Sequence, residues 1–219
     1  MWLPSGYAAR TTLEVKRSRF VTLLTRTDDE DAAREAIAAE RHRYPEARHH
    51  CTAFIVEVPG SLAVERSSDD GEPAGTAGMP MLEVLRGSGL TNATAVVTRW
   101  FGGIKLGTGG LVRAYSESVA QALATAPRVT PVTRTLQALT LDHAEAGRVR
   151  SELEARGAVV VDARYDARVT LVLTHADDAV LAGAVAAATR GDGTLRVVGT
   201  QVVEQPTPPV ESGAADALG

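Results

Sequence analysis

Five of the chain's twenty glycines fall between residues 102 and 110, at Gly102, Gly103, Gly107, Gly109 and Gly110, and no other stretch limits the local fold as much. An apolar run, Ala95, Val96 and Val97, leads through Arg99, Trp100 and Phe101 into this cluster. Behind it Leu111, Tyr115, Val119 and Leu123 recur at helical spacing, so the order is strand, glycine loop, helix. Glycines let backbone N–H groups approach a ligand and turn toward it, and the unpaired N–H groups of a helix start attract negative charge. With Lys105 inside the loop and Arg99 and Arg113 on either side, a phosphate or a carboxylate suits such a site. The alternative is a plain tight connection, with Arg113 paired to Glu117 at i,i+4 on the helix surface.

The spacing excludes two familiar nucleotide motifs. No Gly-Lys-Ser/Thr closes the loop as in a Walker phosphate loop, and Gly107-x-Gly109 is followed by Val112 where a dinucleotide fingerprint has glycine. Only two of the 23 cationic residues are lysines, so Lys105 stands out from an arginine-rich background. Net charge is −4, with 15 cationic and 15 acidic residues up to residue 130 and 8 against 12 beyond it. Nucleic-acid binding by bulk charge is therefore unsupported, DNA is not expected as a partner, and RNA would need a local basic patch.

At 219 residues with 44% apolar and 23% charged residues, the chain has an ordinary globular composition and room for one domain or two. No run of eighteen apolar residues occurs, and Met1–Arg10 lacks a basic segment leading into an apolar one, so neither a membrane span nor a signal peptide is expected. With a single cysteine, Cys51, the chain has no internal disulfide, in keeping with an expected cytoplasmic location.

Along the chain, Arg19–Leu24 reads as a strand, and Asp28, Asp29, Glu30 and Asp31 open a helix to about Arg41. Cys51–Val58 and Leu62–Ser67 read as a strand pair around Pro59-Gly60-Ser61. Asp69–Gly78 is rich in turn residues, and a short helix carrying Met81, Leu82 and Leu85 ends near Gly87. Arg128–Arg134, containing Pro131 and preceded by Pro127, is the best linker, which places one domain over residues 1–128. Beyond it come a strand (136–141), a helix (144–156), two strands (159–163 and 168–173), a helix (177–189) and a strand (196–203). That βαββαβ order over residues 135–204 predicts a ferredoxin-like antiparallel sheet with both helices on one face. Residues 205–219, rich in proline and small polar residues, are expected to be a disordered tail.

Other residues carry chemistry. Asp69, Asp70 and Glu72 put three carboxylates within four residues, hard oxygen ligands of the kind that hold a magnesium ion and through it a phosphate, although the spacing fits no defined calcium loop; the alternative is capping and turn formation around Asp70-Gly71. Thr76 is a candidate cap of the short helix and a candidate contact of the anion site. His49 and Cys51 share a strand face that excludes His50, and with no second Cys/His cluster a zinc site is disfavoured. His49 near a carboxylate has the chemistry of an acid or base. Trp100 and Phe101 are adjacent in a chain with 4% aromatic residues, and one of them must face away from the core as a stacking or partner surface.

The segments Asp69-Asp70-Gly71-Glu72-Pro73-Ala74-Gly75-Thr76-Ala77-Gly78 and Val97 to Tyr115 resemble the two signature blocks of the YigZ/IMPACT family. Lys16-Arg17-Ser18-Arg19-Phe20 and Ala47-Arg48-His49-His50-Cys51 resemble its opening strand and histidine strand, so the likeness spans residues 14 to about 125. The later half is similar mainly in architecture and through Tyr165-Asp166-Ala167-Arg168-Val169. Trp100 stands where bacterial relatives more often have tyrosine, and Met79 where many have a basic residue.

This resemblance implies an α+β protein. Its first domain would be shaped like the second domain of a small-subunit ribosomal protein of the S-five type, and its second like the last domain of elongation factor G. It implies a translation-linked binding or regulatory protein whose partner is RNA, the ribosome or a translation-associated protein. Eukaryotic members regulate translation through a kinase but carry an additional RWD domain, for which the residues before Leu13 leave no room, so that activity is not expected here. On this reading Thr76, Arg99, Trp100, Gly102, Gly103, Lys105, Gly107, Gly109, Gly110 and Arg113 form the binding face, no cofactor is required, and no oligomeric state is implied. The rival is a magnesium-dependent hydrolase of a phosphorylated small molecule, with Asp69, Asp70 and Glu72 on the metal and His49 as acid or base.

Overall fold

Lys16 (φ 46°) and Arg17 (φ 65°) turn the chain back on itself and create the first strand pair. β1 (Ala8–Val15) lies antiparallel to β2 (Ser18–Arg26), with Val15 opposite Ser18, and a two-residue turn of this kind matches the twist of the strands it joins. The segment likened to an opening strand is thus half turn and half strand, and β1, whose burial merely alternates between half-buried and exposed, was not anticipated.

The computed structural model describes residues 1–207, which form two compact units: Met1–Thr130 joined by Pro206 and Thr207, and Pro131–Gln205. In the first unit, α1 (Glu30–Arg43) starts where the acidic run predicts it, with the Asp29 carboxylate accepting from the Ala32 N–H at 2.7 Å. Then follow β3 (His49–Val56), β4 (Val64–Ser68), α2 (Gly78–Ser88), β5 (Ala93–Trp100) and α3 (Thr108–Thr125). The sheet order is β1-β2-β5-β3-β4, antiparallel throughout.

Strand alternation sorts the side chains. Phe20 and Leu24 of β2, Cys51, Ala53 and Ile55 of β3, and Ala95 and Val97 of β5 pack against Met81 and Leu85 of α2 and Leu111, Tyr115 and Val119 of α3. The opposite face meets α1 in a smaller cluster of Ala33, Phe54 and Val56. Two residues on from Cys51 and Val97, toward one end of the apolar face, the same period places His49 and Arg99, which are register partners across β3 and β5. The core face thus turns polar at the end where the glycine loop leaves β5.

The second unit contains most of β6 (Val129–Leu141), then α4 (His143–Ala155), β7 (Val159–Tyr165), β8 (Val169–Thr174), α5 (Asp178–Ala188) and most of β9 (Leu195–Pro206). Its order β7-β8-β6-β9 is the ferredoxin-like arrangement expected from the element order. Leu139, Leu141, Leu171 and Leu173 pack with Val149 and Leu153 of α4 and Leu181 and Val185 of α5.

Two readings need correction. Arg128–Arg134 is not an irregular linker, because β6 already begins at Val129. Pro131 lies ahead of the part of β6 that pairs with β8, which begins at Gln137, so its missing N–H removes nothing from that ladder. The tail expected from Gln205 starts inside β9, which runs to Pro206, and residues 208–219 lie outside the described residues.

Candidate anion-binding site

The acidic turn follows directly from the end of β4. Asp70 (φ 44°) and Gly71 (φ 84°) both adopt the left-handed conformation and swing successive side chains in different directions. The Asp69 carboxylate reaches the start of α2, where Oδ1 accepts from the N–H groups of Ala77 (2.9 Å) and Gly78 (2.8 Å) and Oδ2 from that of Gly75 (2.7 Å). A Cβ on Gly78 would lie 2.7 Å from the Ser68 nitrogen, so only glycine lets α2 begin this close to β4. Thr76 is not the cap of this helix. It is buried, and its hydroxyl donates to the Pro73 carbonyl at 2.6 Å.

Partial burial pushes the Asp69 pKa up, but the three backbone donors outweigh it and hold the group below the ordinary carboxylate value. A depressed folded-state pKa means that Asp69 contributes stability above its unfolded pKa and loses that contribution as pH falls through the folded value. Asp69→Asn turns an N–H toward the Gly75 donor, and is expected to lower the neutral-pH stability by about 1 kcal/mol, as for a lost helix cap. Urea unfolding of parent and variant between pH 7 and acid should show this gap closing as pH falls.

Asp70 serves a different neighbourhood. Its Oδ1 accepts from Arg41 Nη2 of α1 at 2.5 Å, its Oδ2 from the His50 N–H at 2.6 Å, and its carbonyl oxygen from His49 Nδ1 at 2.8 Å. Glu72 turns inward, where Oε1 accepts from Arg99 Nη1 at 2.5 Å and from the Tyr115 hydroxyl at 2.7 Å. The structure therefore does not bring Asp69, Asp70 and Glu72 together as a magnesium set. Among the described residues no three His, Cys, Asp or Glu side chains are grouped as metal ligands.

Cys51 is fully buried and donates to the Asp69 carbonyl at 3.0 Å, and burial pushes its thiol up to about 12. It is no nucleophile at neutral pH. Burial lowers the pKa of His50, which lies on the α1 side of the sheet. A carbonyl can only accept, so the bond to Asp70 assigns the His49 proton to Nδ1 in the neutral ring and leaves Nε2 as the acceptor.

His49 lines a cavity of about 400 Å³ between the acidic turn and the glycine loop. Arg48, Arg99 and Lys105 bring positive charge to it, and Gly107 and Thr108 bring the N-terminus of α3. Pro73, Phe101, Leu106 and Leu111 make an apolar wall. Arg48 and Lys105 form no ion pair among the described residues, and the buried Arg99 has its Nε without a partner. This arrangement fits an anionic group attached to an apolar or aromatic body.

Of the expected binding face, Arg99, Lys105 and Gly107 reach this cavity, as do Glu72 and His49 of the acidic and histidine segments. Arg113 and Gly110 line a neighbouring cavity of about 280 Å³. Trp100 faces the other side of the sheet, edge-on to Tyr44 at 5.2 Å with the Arg19 guanidinium 4.1 Å above its ring. Phe101, 55% exposed, is the aromatic left outside the core. Gly102 serves packing, since an added Cβ would fall on the backbone of Arg17, and its N–H donates to Ser18 Oγ at 3.2 Å. Gly103 (φ 86°) and Gly107 (φ 72°) are required by their backbone angles, whereas a Cβ on Gly109 would meet open space. Arg48 was missed as a site residue. Its signal was its place next to His49 at the start of a strand whose register partner is β5.

Residues 16–123 match the Impact N-terminal domain, and residues 139–191 match DUF1949, a domain of unknown function. Over 139 residues the chain is 50% identical to the IMPACT family member YigZ of Escherichia coli (strain K12), an alignment covering 62% of this chain and 68% of that protein. It is 43% identical over 160 residues to an IMPACT family member of Haemophilus influenzae, covering 73% and 78% of the two chains. Among solved structures, the crystal structure of a hypothetical protein superimposes with a TM-score of 0.60 at 38% identity, over 90% of this chain and 97% of the other. With the signature segments gathered around one cavity, and relatives at this identity aligned over more than two thirds of their length, this chain belongs to the IMPACT family.

Proposed function

We propose that this protein is a cytoplasmic, translation-linked regulatory protein that binds RNA by gripping a phosphate in the cavity at the start of α3. The observation that carries this reading is the convergence of Arg48, Arg99 and Lys105 on that helix start, beside the exposed ring of Phe101. The two cations without an ion pair, Arg48 and Lys105, and the helix N–H groups favour a phosphate oxygen, and a neighbouring aromatic face offers a stacking surface to a base. Family membership, and the ribosome-associated folds that the family resemblance implies for both domains, support a partner in translation. The near-neutral charge of the first unit supports a local contact over a diffuse one.

The test is RNA and ribosome binding as a function of salt. Lys105→Ala is expected to weaken binding and to reduce the slope of log affinity against log salt by about one, as for one lost phosphate contact. Arg34→Ala is the charge-matched control, because Arg34 lies on α1 and is tied to Glu30 and Asp31. If Lys105→Ala and Arg34→Ala bind RNA alike, with equal slopes, the reading is wrong.

A further inference from the structure

Both lysines of the chain, Lys16 and Lys105, lie beside the same leucine. Leu106 lines both the cavity of Arg48, Arg99 and Lys105 and the second cavity, which is lined by Lys16, Gly110, Arg113 and Glu117. Each recess therefore holds one lysine and at least one arginine. None of Lys16, Arg48, Lys105 and Arg113 makes an ion pair among the described residues. The i,i+4 pairing expected for Arg113 and Glu117 is not formed.

Lys16 is also held in place. It sits in the left-handed turn between β1 and β2, and the backbone of that turn is seated against Gly102 of the glycine loop. The backbone that carries Lys16 is thus anchored to the loop that carries Lys105, and both lysines line cavities that share Leu106. Pairs of unmatched cations in adjacent recesses suit two anionic groups joined by a short linkage.

We propose, building on the RNA reading above, that the two cavities hold successive phosphates of one single-stranded RNA segment. Leu106 lies between the two phosphates, and Phe101 stacks on a base. A duplex keeps its bases stacked inside, with no free face for Phe101, and carries its phosphates on convex ridges that do not enter recesses. Glu117 is the opposing charge in the second recess and weakens it.

The experiment is fluorescence anisotropy with a labelled oligouridylate of about ten nucleotides, a length within the span one binding fold covers, titrated at several salt concentrations. Lys16→Ala and Lys105→Ala should each lower the salt slope by about one, and the double variant by about two. Glu117→Gln should tighten binding several-fold, a gain that misfolding cannot produce. A duplex RNA of the same length should bind roughly tenfold more weakly or worse, the equivalent of one lost stacking contact. If Lys105→Ala weakens binding but Lys16→Ala and Glu117→Gln behave as the parent does, the two-phosphate proposal is overturned and the single-cavity RNA reading stands. Equal binding of duplex and single strand also overturns the proposal. Unchanged binding in Lys105→Ala as well removes both.

Discussion

Glu72→Ala is expected to destabilise the first unit by about 3–5 kcal/mol, the range for removing one partner of a buried ion pair. The Glu72 and Arg99 side chains are only 4% and 8% exposed. Without the carboxylate, the Arg99 guanidinium keeps Ser18 Oγ at 3.5 Å and the rings of Phe20 and Phe101 at 5.5 and 5.9 Å, none of which carries a compensating charge. The Tyr115 hydroxyl loses its carboxylate acceptor at the same time, and burial raises its pKa, so it stays a neutral donor left with only the weakly accepting sulfur of Cys51. Glu72→Gln keeps an acceptor oxygen for one of the two donors and should lose less. Urea denaturation of the two variants measures both effects. A loss below about 1 kcal/mol for Glu72→Ala would mean that Arg99 is solvated through the cavity and that the pair is not effectively buried.

Gly102→Ala should be the second severe change, at roughly 3 kcal/mol, the upper end of what overpacking costs when backbone must move. The added methyl falls on the Arg17 carbonyl and the Ser18 nitrogen, which belong to a tight turn between two paired strands and cannot swing aside as a side chain would. Relief requires the turn to withdraw, which stretches the Gly102–Ser18 hydrogen bond and moves Lys16 off its recess. Gly109→Ala is the matched comparison, because a Cβ there meets nothing within 4 Å. Thermal unfolding should separate the two, with Gly102→Ala several degrees lower and Gly109→Ala close to the parent. Equal melting temperatures would show that the turn is not anchored by the loop.

The strand, loop and helix around residues 95–123 were legible because two local periods change over at the glycines, and the second unit because its elements alternate cleanly. Individual roles were not, since they depend on contacts between distant segments. The five glycines look alike in sequence, yet Gly102 is fixed by the Arg17 backbone and Gly109 by nothing. Asp69, Asp70 and Glu72 look like one ligand set, but left-handed residues at 70 and 71 rotate them to a helix start, to α1 and to the core. Arg99 and Trp100 read as joint members of one face, although strand alternation alone separates them. Arg48 is marked in the sequence only by its place next to His49, and Lys16 enters the site only through the docking of the first hairpin, which no local pattern encodes.

The buried thiol of Cys51 gives the chain a built-in clock. It is the chain's single cysteine, has no exposed surface, donates to the Asp69 carbonyl and is pushed up to about 12, so in the closed unit it is both hidden and un-ionised. Reaction with a thiol reagent therefore requires β3 to part from the acidic turn and from α3. The rate of that reaction counts openings of the first unit alone, whatever the second unit is doing, because the second contains no sulfhydryl to answer.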